Sequence, residues 1–244
     1  MKIELNISKM DEISSKLKEN GFCIFDIEVL LAGSHIPISK LREFESYWDF
    51  LKIDQYLKDL GQYRYRRHSS YIIESGNTRT VPHRAHWQSL DYNALHGGIS
   101  RMFDPIDQNL NSSKEWMELI ASVANVIDQK NIDTTWFAEA HQFRISTQGG
   151  LGRPTPEGAH RDGVDYVAVI MINRSFISGG ETRIFSIDGN TGLRFTLEKP
   201  WTVLLLDDNR MIHETTPIKD NGGNGYRDTL VLTFRKSGFQ DPIS

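Results

Sequence analysis

A period-two alternation of apolar and polar residues fills the second half of this chain and constrains its fold more than any other feature. Such alternation is typical of strands with one buried face. The pattern predicts successive strands, separated by turn signals rich in Gly, Asn and Asp, over 136–145, 166–173, 181–186, 192–196, 202–207, 211–216 and 228–235. Many short strands at this spacing are typical of a sandwich or barrel. We therefore predict a mainly β fold with α-helices, in which 136–236 forms a double-stranded β-helix core of the jelly-roll or cupin type.

The first half of the chain has helical periodicity instead. Apolar residues recur at helical spacing in 8–18, in a segment that begins at Ser39, and in 113–127, where Ser113 is a candidate N-cap. We expect these helices to pack outside the β core and buttress it, while strands in 1–135 contribute to the substrate side. The length suits one domain spanning 1–244.

Composition excludes several classes of partner. A net charge of −4 and a pI of about 6.1 give no basic field for a phosphate backbone, so we expect no nucleic-acid partner. No apolar stretch is long enough for a membrane span, and the start of the chain lacks the apolar region of a secretory leader. The single cysteine, Cys23, excludes a disulfide framework. These features predict a cytoplasmic protein without membrane attachment; a homodimer is left open.

Three residues form a candidate metal site. His160 and Asp162 are two positions apart and would project to one side of a strand, with Gly163 allowing the chain to turn beside them. His213 lies on a later predicted strand. Two imidazoles and one carboxylate are the ligand set of a non-haem Fe(II) site that leaves other metal positions open. We therefore predict that these three residues bind Fe(II) and act in catalysis.

A basic residue follows the second histidine at a suitable distance. Arg227 and Thr229 share one face of the last predicted strand. A guanidinium matches a carboxylate bidentately, and a hydroxyl adds a further hydrogen bond. This pair is suited to the distal carboxylate of 2-oxoglutarate, whose other end would chelate the iron. The sequence thus favours an Fe(II)/2-oxoglutarate oxygenase, with O2 as the other co-substrate.

Two further arginines, Arg64 and Arg66, share a strand face. One interpretation is a solvated face or an internal salt bridge; the other is a clamp for a substrate carboxylate. The segment 83–103 is rich in histidine and aromatic residues and is predicted as strand and loop. The spacing of its three histidines matches no closed zinc pattern, so we interpret them as structural or surface residues. Trp87 is a candidate wall of an enclosed substrate pocket.

Several motifs together resemble the bacterial Fe(II)/2-oxoglutarate dioxygenases that hydroxylate free L-amino acids, the L-isoleucine 4-hydroxylase group in particular. The motifs, which extend from about Gly61 to Lys236, include Gly61-x-x-Arg64-x-Arg66, Gln88-Ser89-x-x-Tyr92-Asn93, His141-Gln142-x-Arg144, His160-x-Asp162, His213-x-x-Thr216-Pro217 and Arg227-Asp228-x-Leu230. The chain departs from the isoleucine-hydroxylase pattern at His68, Ser70, His86 and Trp87. At 160–163 it has His-Arg-Asp-Gly, where the pattern has His-Lys-Asp-Asp.

The resemblance implies roles for individual residues. It implies that His160, Asp162 and His213 hold iron, that Arg227 holds 2-oxoglutarate, and that Arg64, Arg66 and Arg144 lie near the amino-acid carboxylate. We add Gln142 to the predicted co-substrate site from the same motif set. Asp162 favours hydroxylation over halogenation, because halogenation needs that ligand position vacant for halide.

The predicted function is hydroxylation of an unactivated C–H bond of a free L-amino acid, with decarboxylation of 2-oxoglutarate to succinate and CO2. Two alternatives stay open. One is an oxygenase acting on a modified amino acid, a peptide or a nucleobase, since Arg227 and Arg235 are similar to the paired arginines of alkylated-base demethylases at a longer spacing. The other is a non-catalytic barrel that binds a metal or a small acid.

Overall fold

The computed structural model describes residues 9–34, 36–59, 61–128, 133–189 and 191–242. The helices are α1 (Met10–Asn20), α2 (Glu28–Leu31), α3 (Ile38–Phe44), a 3-10 helix (Glu45–Phe50), α4 (Gln108–Asn111) and α5 (Lys114–Ile127). The strands are β1 (Phe22–Asp26), β2 (Lys52–Ile53), β3 (Arg64–Glu74), β4 (Asn77–Thr80), β5 (Trp136–Ser146), β6 (Tyr166–Ser175), β7 (Ile177–Gly179), β8 (Glu181–Ser186), β9 (Gly192–Thr196), β10 (Thr202–Asp207), β11 (Met211–Thr215), β12 (Ile218–Asp220) and β13 (Tyr226–Arg235).

One large antiparallel sheet organises the molecule. Its strands run in the order β1-β10-β6-β13-β5-β3-β2, and β4 pairs with β3. The long strand β13 lies between β5 and β6 and pairs with both over almost its whole length. Strands from the N-terminal half, β1 and β3, are integral members of this sheet. The N-terminal half therefore completes the sheet as well as supporting it.

A smaller sheet covers part of one face of the large sheet. It has the order β11-β8-β9, and β12 pairs separately with β7. Apolar side chains from both sheets, including Met171, Ile184, Phe195, Leu204 and Met211, form one buried cluster between them. Two antiparallel sheets closed over a common core are the jelly-roll arrangement predicted from the sequence.

The helices cover the opposite face of the large sheet. Helix α5 presents Trp116, Leu119 and Ile120, all fully buried, to a core that also contains Ala138 and Ala140 of β5. At the start of α5 the hydroxyl of Ser113 accepts a hydrogen bond from the Trp116 N–H, as predicted for an N-cap. The helices therefore buttress the β core as expected.

Most predicted elements are confirmed within one or two residues at their ends, and three are corrected. The segment that begins at Ser39 changes to a 3-10 helix after Phe44. His160 and Asp162 lie in the connection before β6 rather than on a strand, and of the two His160 forms an isolated backbone bridge, to His213. The first predicted helix starts at Met10; Ser8 lies outside the described residues. No helix in the described ranges is long and apolar enough to span a membrane.

Candidate active site

The register of the large sheet gathers polar side chains on its inner face. Cross-strand neighbours form three rows: Arg64, Ile145 and Arg227; Arg66, Phe143 and Thr229; and His68, His141 and Val231. Nearly all of these residues line one cavity, which also contains His160, Asp162 and His213. Because each row crosses β3, β5 and β13, the residues on β3 and those on β13 are separated by two strand spacings, roughly 10 Å.

His160, Asp162 and His213 form one cluster at the inner end of this cavity, with their ligand atoms within 4.8 Å of one another. The backbone N–H of His160 donates to the carbonyl of His213 and the N–H of His213 donates back, which fixes the two residues side by side. The Nε2 atoms of His160 and His213 lie 3.8 and 3.6 Å from the carboxylate oxygens of Asp162. These gaps exceed hydrogen-bond length, and three converging ligand atoms leave room for an ion between them.

Neighbouring groups orient two of the three ligand side chains, His160 and Asp162. The Nδ1–H of His160 donates to the carbonyl of Gly158 at 2.9 Å, which leaves Nε2 on the side of the ring that faces the cluster. Gln88 donates from Nε2 to Oδ1 of Asp162 at 3.0 Å. The carboxylate of Asp208 accepts hydrogen bonds from the backbone N–H groups of Asp162, Gly163 and Val164. The loop that carries Asp162 is therefore held by its main chain.

The protonation states of two of these groups suit metal binding. Burial, together with the adjacent charge of His160, lowers the pKa of His213 to about 4, so its imidazole is neutral at pH 7. Burial raises the pKa of Asp162, but His160 and His213 outweigh this effect and the net pKa lies below its usual value. A neutral imidazole and an ionised carboxylate are the forms that bind a cation.

Arg227 and Thr229 lie on β13 and line the same cavity, as predicted. Arg227 is 3% exposed, and its Nε and Nη2 atoms are buried without a hydrogen-bond partner among the described residues. Burial is the main reason that its pKa falls to about 10, so it remains charged at pH 7. A buried guanidinium with two free donors requires an anion, because an unpaired buried charge is costly.

Arginines on and beside β3 form a second basic group in the cavity. Arg64 forms a buried ion pair with Asp54 at 2.8 Å and keeps Nη2 unpartnered. Arg66 has no carboxylate partner within the described ranges; its Nη2 lies 2.8 Å from Nδ1 of His141, and its Nε is free. Arg101, for which the sequence predicted no role, donates to Gln88 Oε1 at 3.0 Å and also keeps its Nε free. Arg64 thus follows the salt-bridge interpretation, whereas Arg66 and Arg101 are available to a ligand.

A second cluster of metal-ligand types lies beside these arginines. His68, His86, Glu139 and His141 are all buried, with ligand atoms within 4.8 Å of one another. Glu139 bonds through one oxygen to Nε2 of His68 at 2.9 Å and through the other to Nδ1 of His86 at 3.2 Å. His68 and His86 are therefore interior residues joined to a carboxylate, and His141 stacks on the ring of His68. The earlier interpretation as structural residues fits His86, but the network extends to residues on β3 and β5.

Burial and charge determine the protonation of this second cluster. Burial lowers the pKa of His86 to about 4 and also lowers the pKa of His68 and His141. Burial raises the pKa of Glu139, but the two bonded histidines reverse this and hold its pKa well below the ordinary range. The cluster is thus an ionised carboxylate surrounded by neutral imidazoles.

Three residues predicted for the site do not line the cavity: Gln142, Arg144 and Trp87. On β5 the odd-numbered side chains face the cavity, so Gln142 and Arg144 face the opposite side. Arg144 forms ion pairs there with Asp228 and Asp49. Trp87 lies between two residues that do reach the cavity, His86 and Gln88. The motif that contains Gln142 and Arg144 therefore contributes His141 to the cavity instead.

The polar cavity residues to which sequence analysis gave no role include Gln88, Arg101, Glu139 and His141. Gln88, His141 and Arg101, in Arg101-x-Phe103, lie in motifs used for the resemblance, whereas Glu139 lies in none of them. The period-two alternation of 136–145 puts Glu139 and His141 on one face of the strand. This pattern could have indicated that the two side chains point to the same side.

Comparison with known families identifies the chain. A profile described as 2OG-Fe dioxygenase matches residues 45–233, which include both predicted metal-ligand segments and Arg227. The chain belongs to the 2OG-Fe dioxygenase family. A search of curated proteins found no match.

Solved structures with the same fold support the assignment of the chain to this family. A bsmA homolog from Methylobium petroleophilum PM1 is 43% identical, with a TM-score of 0.91 and full coverage of both chains. IDO from Bacillus thuringiensis is 19% identical, with a TM-score of 0.75, and covers 97% of this chain and 99% of its own. The Fe(II)/(alpha)ketoglutarate-dependent dioxygenase TqaL is 16% identical, with a TM-score of 0.70 and coverage of 96% and 89%. The last two likenesses concern the fold alone.

The residues of this dioxygenase fit the cofactors that its family uses, Fe(II), 2-oxoglutarate and O2. The His-Asp-His cluster has the ligand types and spacing of an iron-binding group. The free donors of Arg227 are buried polar atoms that no residue in the described ranges satisfies. Both observations indicate a cavity built around bound groups.

Proposed function

We propose that this dioxygenase hydroxylates an unactivated C–H bond of a free L-amino acid. The observation that carries the proposal is the presence of two separate basic groups in one cavity, Arg227 on β13 and Arg66 with Arg101 at the β3 side. One dicarboxylic co-substrate accounts for the first group. A second anionic ligand is needed for the other, and the carboxylate of an amino acid has the matching charge and geometry.

In this proposal the co-substrate lies along β13. Arg227 would receive the distal carboxylate of 2-oxoglutarate in a bidentate contact, and the hydroxyl of Thr229 would add a hydrogen bond. His160, Asp162 and His213 would hold Fe(II). Bound iron with 2-oxoglutarate supplies the activation of O2, and the balanced reaction converts a C–H bond, 2-oxoglutarate and O2 into a C–OH group, succinate and CO2. The protein's part is to orient the substrate and exclude water.

The substrate end of the proposal changes two of the predicted contacts. Arg66 remains a candidate for the substrate carboxylate, and Arg64 offers one free donor beside it. Arg101 takes the place predicted for Arg144, because Arg144 is paired on the other face of the sheet. Gln88 joins Arg101 to Asp162, with hydrogen bonds of 3.0 Å to each. A substrate carboxylate at Arg101 would thus lie one residue from the iron ligands.

The grouping with L-isoleucine 4-hydroxylases is part of the proposal and rests on the sequence motifs. Two of the residues that depart from that pattern, His68 and His86, belong to the buried histidine cluster of the cavity region. We therefore propose the amino-acid hydroxylase class without assigning an aliphatic side chain to the substrate. A single catalytic domain and a cytoplasmic location, supported by the unpaired Cys23, are proposed with it. The homodimer remains a prediction.

The test is succinate formation from 2-oxoglutarate with Fe(II), ascorbate and air, measured for each standard free L-amino acid and for ornithine and citrulline. Mass spectrometry would detect a product heavier by one oxygen atom. We expect coupled turnover with one or a few amino acids, and none for the Asp162→Ala variant. Succinate formation at the same background rate with every amino acid would favour a modified amino acid or a peptide as the substrate. Absence of turnover in iron-loaded protein would favour the non-catalytic metal-binding barrel.

A further inference from the structure

The hydrogen bonds of the second cluster assign a donor or an acceptor role to each imidazole nitrogen. A guanidinium can only donate, so Nδ1 of His141 must accept from Arg66 and the proton of neutral His141 is on Nε2. An ionised carboxylate can only accept, so Nδ1 of His86 must donate to Glu139 and the Nε2 of neutral His86 is an acceptor. Neither Nε2 atom bonds to another residue within the described ranges, and both side chains line the cavity.

The cavity wall at this point therefore presents several donors and one acceptor. The donors are Nε–H of Arg66, Nε–H of Arg101 and Nε2–H of His141. The acceptor is Nε2 of His86, polarised from behind by the Glu139 carboxylate. The groups are contiguous, because the rings of His86 and His141 have centroids 4.7 Å apart and His86 forms a backbone bridge with Arg101. A ligand that satisfies this wall has an anionic acceptor next to a donor.

The same cluster also has metal-ligand types, but its geometry differs from that of the iron group. Its polar atoms are already paired at 2.9 and 3.2 Å, whereas the corresponding separations in the iron group are 3.6 and 3.8 Å. Arg66 lies against His141 and brings a permanent positive charge to the cluster. A divalent cation would have to break the Glu139 hydrogen bonds and tolerate this charge. The contacts therefore favour a hydrogen-bonding ligand over a second metal.

We infer that His86, backed by Glu139, binds the α-ammonium group of the substrate, while Arg66, Arg101 and His141 surround its α-carboxylate. This inference rests on the proposed function and deepens it, because it makes the complete zwitterionic head group the recognised element. The two charged groups of an amino acid are attached to one carbon, so their receptors must be adjacent, as these are. The buried negative charge of Glu139, which bonds His86, offsets part of the repulsion between the ammonium and the two guanidiniums. A peptide or an N-acylated substrate has no such ammonium group at an internal residue.

The first experiment compares ligands on the wild-type protein. The amino acid with the strongest coupled turnover is titrated calorimetrically, without oxygen, into protein loaded with Fe(II) and 2-oxoglutarate. Its des-amino carboxylic acid and its N-acetyl derivative are titrated in the same way. Loss of a charge-assisted hydrogen bond should weaken binding of both analogues by about tenfold to a hundredfold. An affinity of the des-amino acid equal to that of the amino acid would overturn the inference.

The second experiment tests Glu139→Gln, which keeps the size of the side chain and removes its charge. We expect weaker binding of the amino acid, unchanged binding of the des-amino acid, and therefore a ratio of affinities close to one. Ser70→Ala is the matched control, because the Ser70 hydroxyl lies 3.5 Å from Nε2 of His68 in the same network but does not line the cavity. It should keep the wild-type ratio. Thermal melting verifies folding, and His86→Phe serves as the second variant.

The outcomes separate this inference from the proposed function. Equal weakening of both ligands in Glu139→Gln would show a structural role for the cluster and overturn the inference alone. A second equivalent of metal in the wild type that is lost in Glu139→Gln would also overturn it, in favour of a metal site. Failure of the wild type to bind or turn over any free amino acid would overturn the proposed function, and the head-group assignment would fall with it.

Discussion

The main chains of His160 and His213 form a reciprocal pair of hydrogen bonds, 3.0 and 2.9 Å long, that holds the two imidazoles side by side. Their ring centroids are 4.7 Å apart. This pairing depends on the backbone and not on a bound ion, so two of the three iron ligands are preorganised by the fold. Asp162, on the following loop, completes the set.

Removal of Asp162 should therefore abolish function without unfolding the protein. In Asp162→Ala the histidine pair stays in place, while the metal loses its anionic ligand. We expect at least about a tenfold loss of Fe(II) affinity, since the loss even of an outer partner of a ligand costs this much. Metal titration, thermal melting and succinate assays measure the three quantities. A variant with wild-type hydroxylation would contradict the assignment of the iron site.

Gly163 should not tolerate a side chain. Its φ is +76°, and a Cβ there would collide with the ring of Tyr92. We expect Gly163→Ala to lower the free energy of unfolding by about 1–3 kcal/mol, and to displace the adjacent Asp162. Denaturant unfolding and iron binding measure the two effects. The control is Gly149→Ala, where a Cβ would meet no atom within 4 Å and the loop lies near the same cavity.

Replacement of Arg227 should affect 2-oxoglutarate specifically. Lysine keeps the charge but cannot make the bidentate contact, so Arg227→Lys should raise the KM for 2-oxoglutarate by about tenfold to a hundredfold. The KM for the amino acid should change much less. Arg235→Lys is the control, because Arg235 lies at the other end of β13 and donates to the carbonyl of Gly238. An unchanged KM for 2-oxoglutarate in Arg227→Lys would place the co-substrate elsewhere.

Gln88 should increase the affinity of the site for Fe(II) without binding the metal itself. It donates to Asp162 and accepts from Arg101, so Gln88→Ala removes an orienting contact of an iron ligand. We expect a loss of Fe(II) affinity of about tenfold to a hundredfold. The exposed Gln148 provides the control variant, Gln148→Ala, which should bind iron as the wild type does. Equal iron affinity of both variants would show that Gln88 acts only as packing.

The single thiol should be unreactive in the folded protein. Cys23 is 2% exposed on β1, and burial raises its pKa to about 12. Because the reactive species is the thiolate, almost none is present at pH 8. A chromogenic disulfide reagent should therefore label no thiol in the native protein and one thiol per chain in guanidinium. Rapid labelling of the native protein would show that β1 detaches readily from the sheet.

Sequence periodicity predicted the fold closely, because strands and helices depend on local pattern. The candidates for the iron site were found from their residue types. Strands β8, β9 and β10 begin and end as predicted. The substrate side was predicted less completely, because it depends on cross-strand register. Arg66 meets His141 only because β3 pairs with β5 in one particular alignment, and a shift of one residue would exchange the faces. The same parity turns Arg144 away from the cavity.

The pairing of β1 with β10 has a consequence for folding during biosynthesis. Phe22 pairs with Leu206, roughly 180 positions later, so β1 leaves the ribosome long before its partner strand β10. At typical elongation rates the wait is roughly 10–40 s. During that time the apolar residues of β1 lack their final partner, and α1, which packs against β1 and β10, can only pack provisionally. Chaperone demand during translation should therefore fall when β10 emerges, and a nascent chain truncated before Thr202 should remain sensitive to protease.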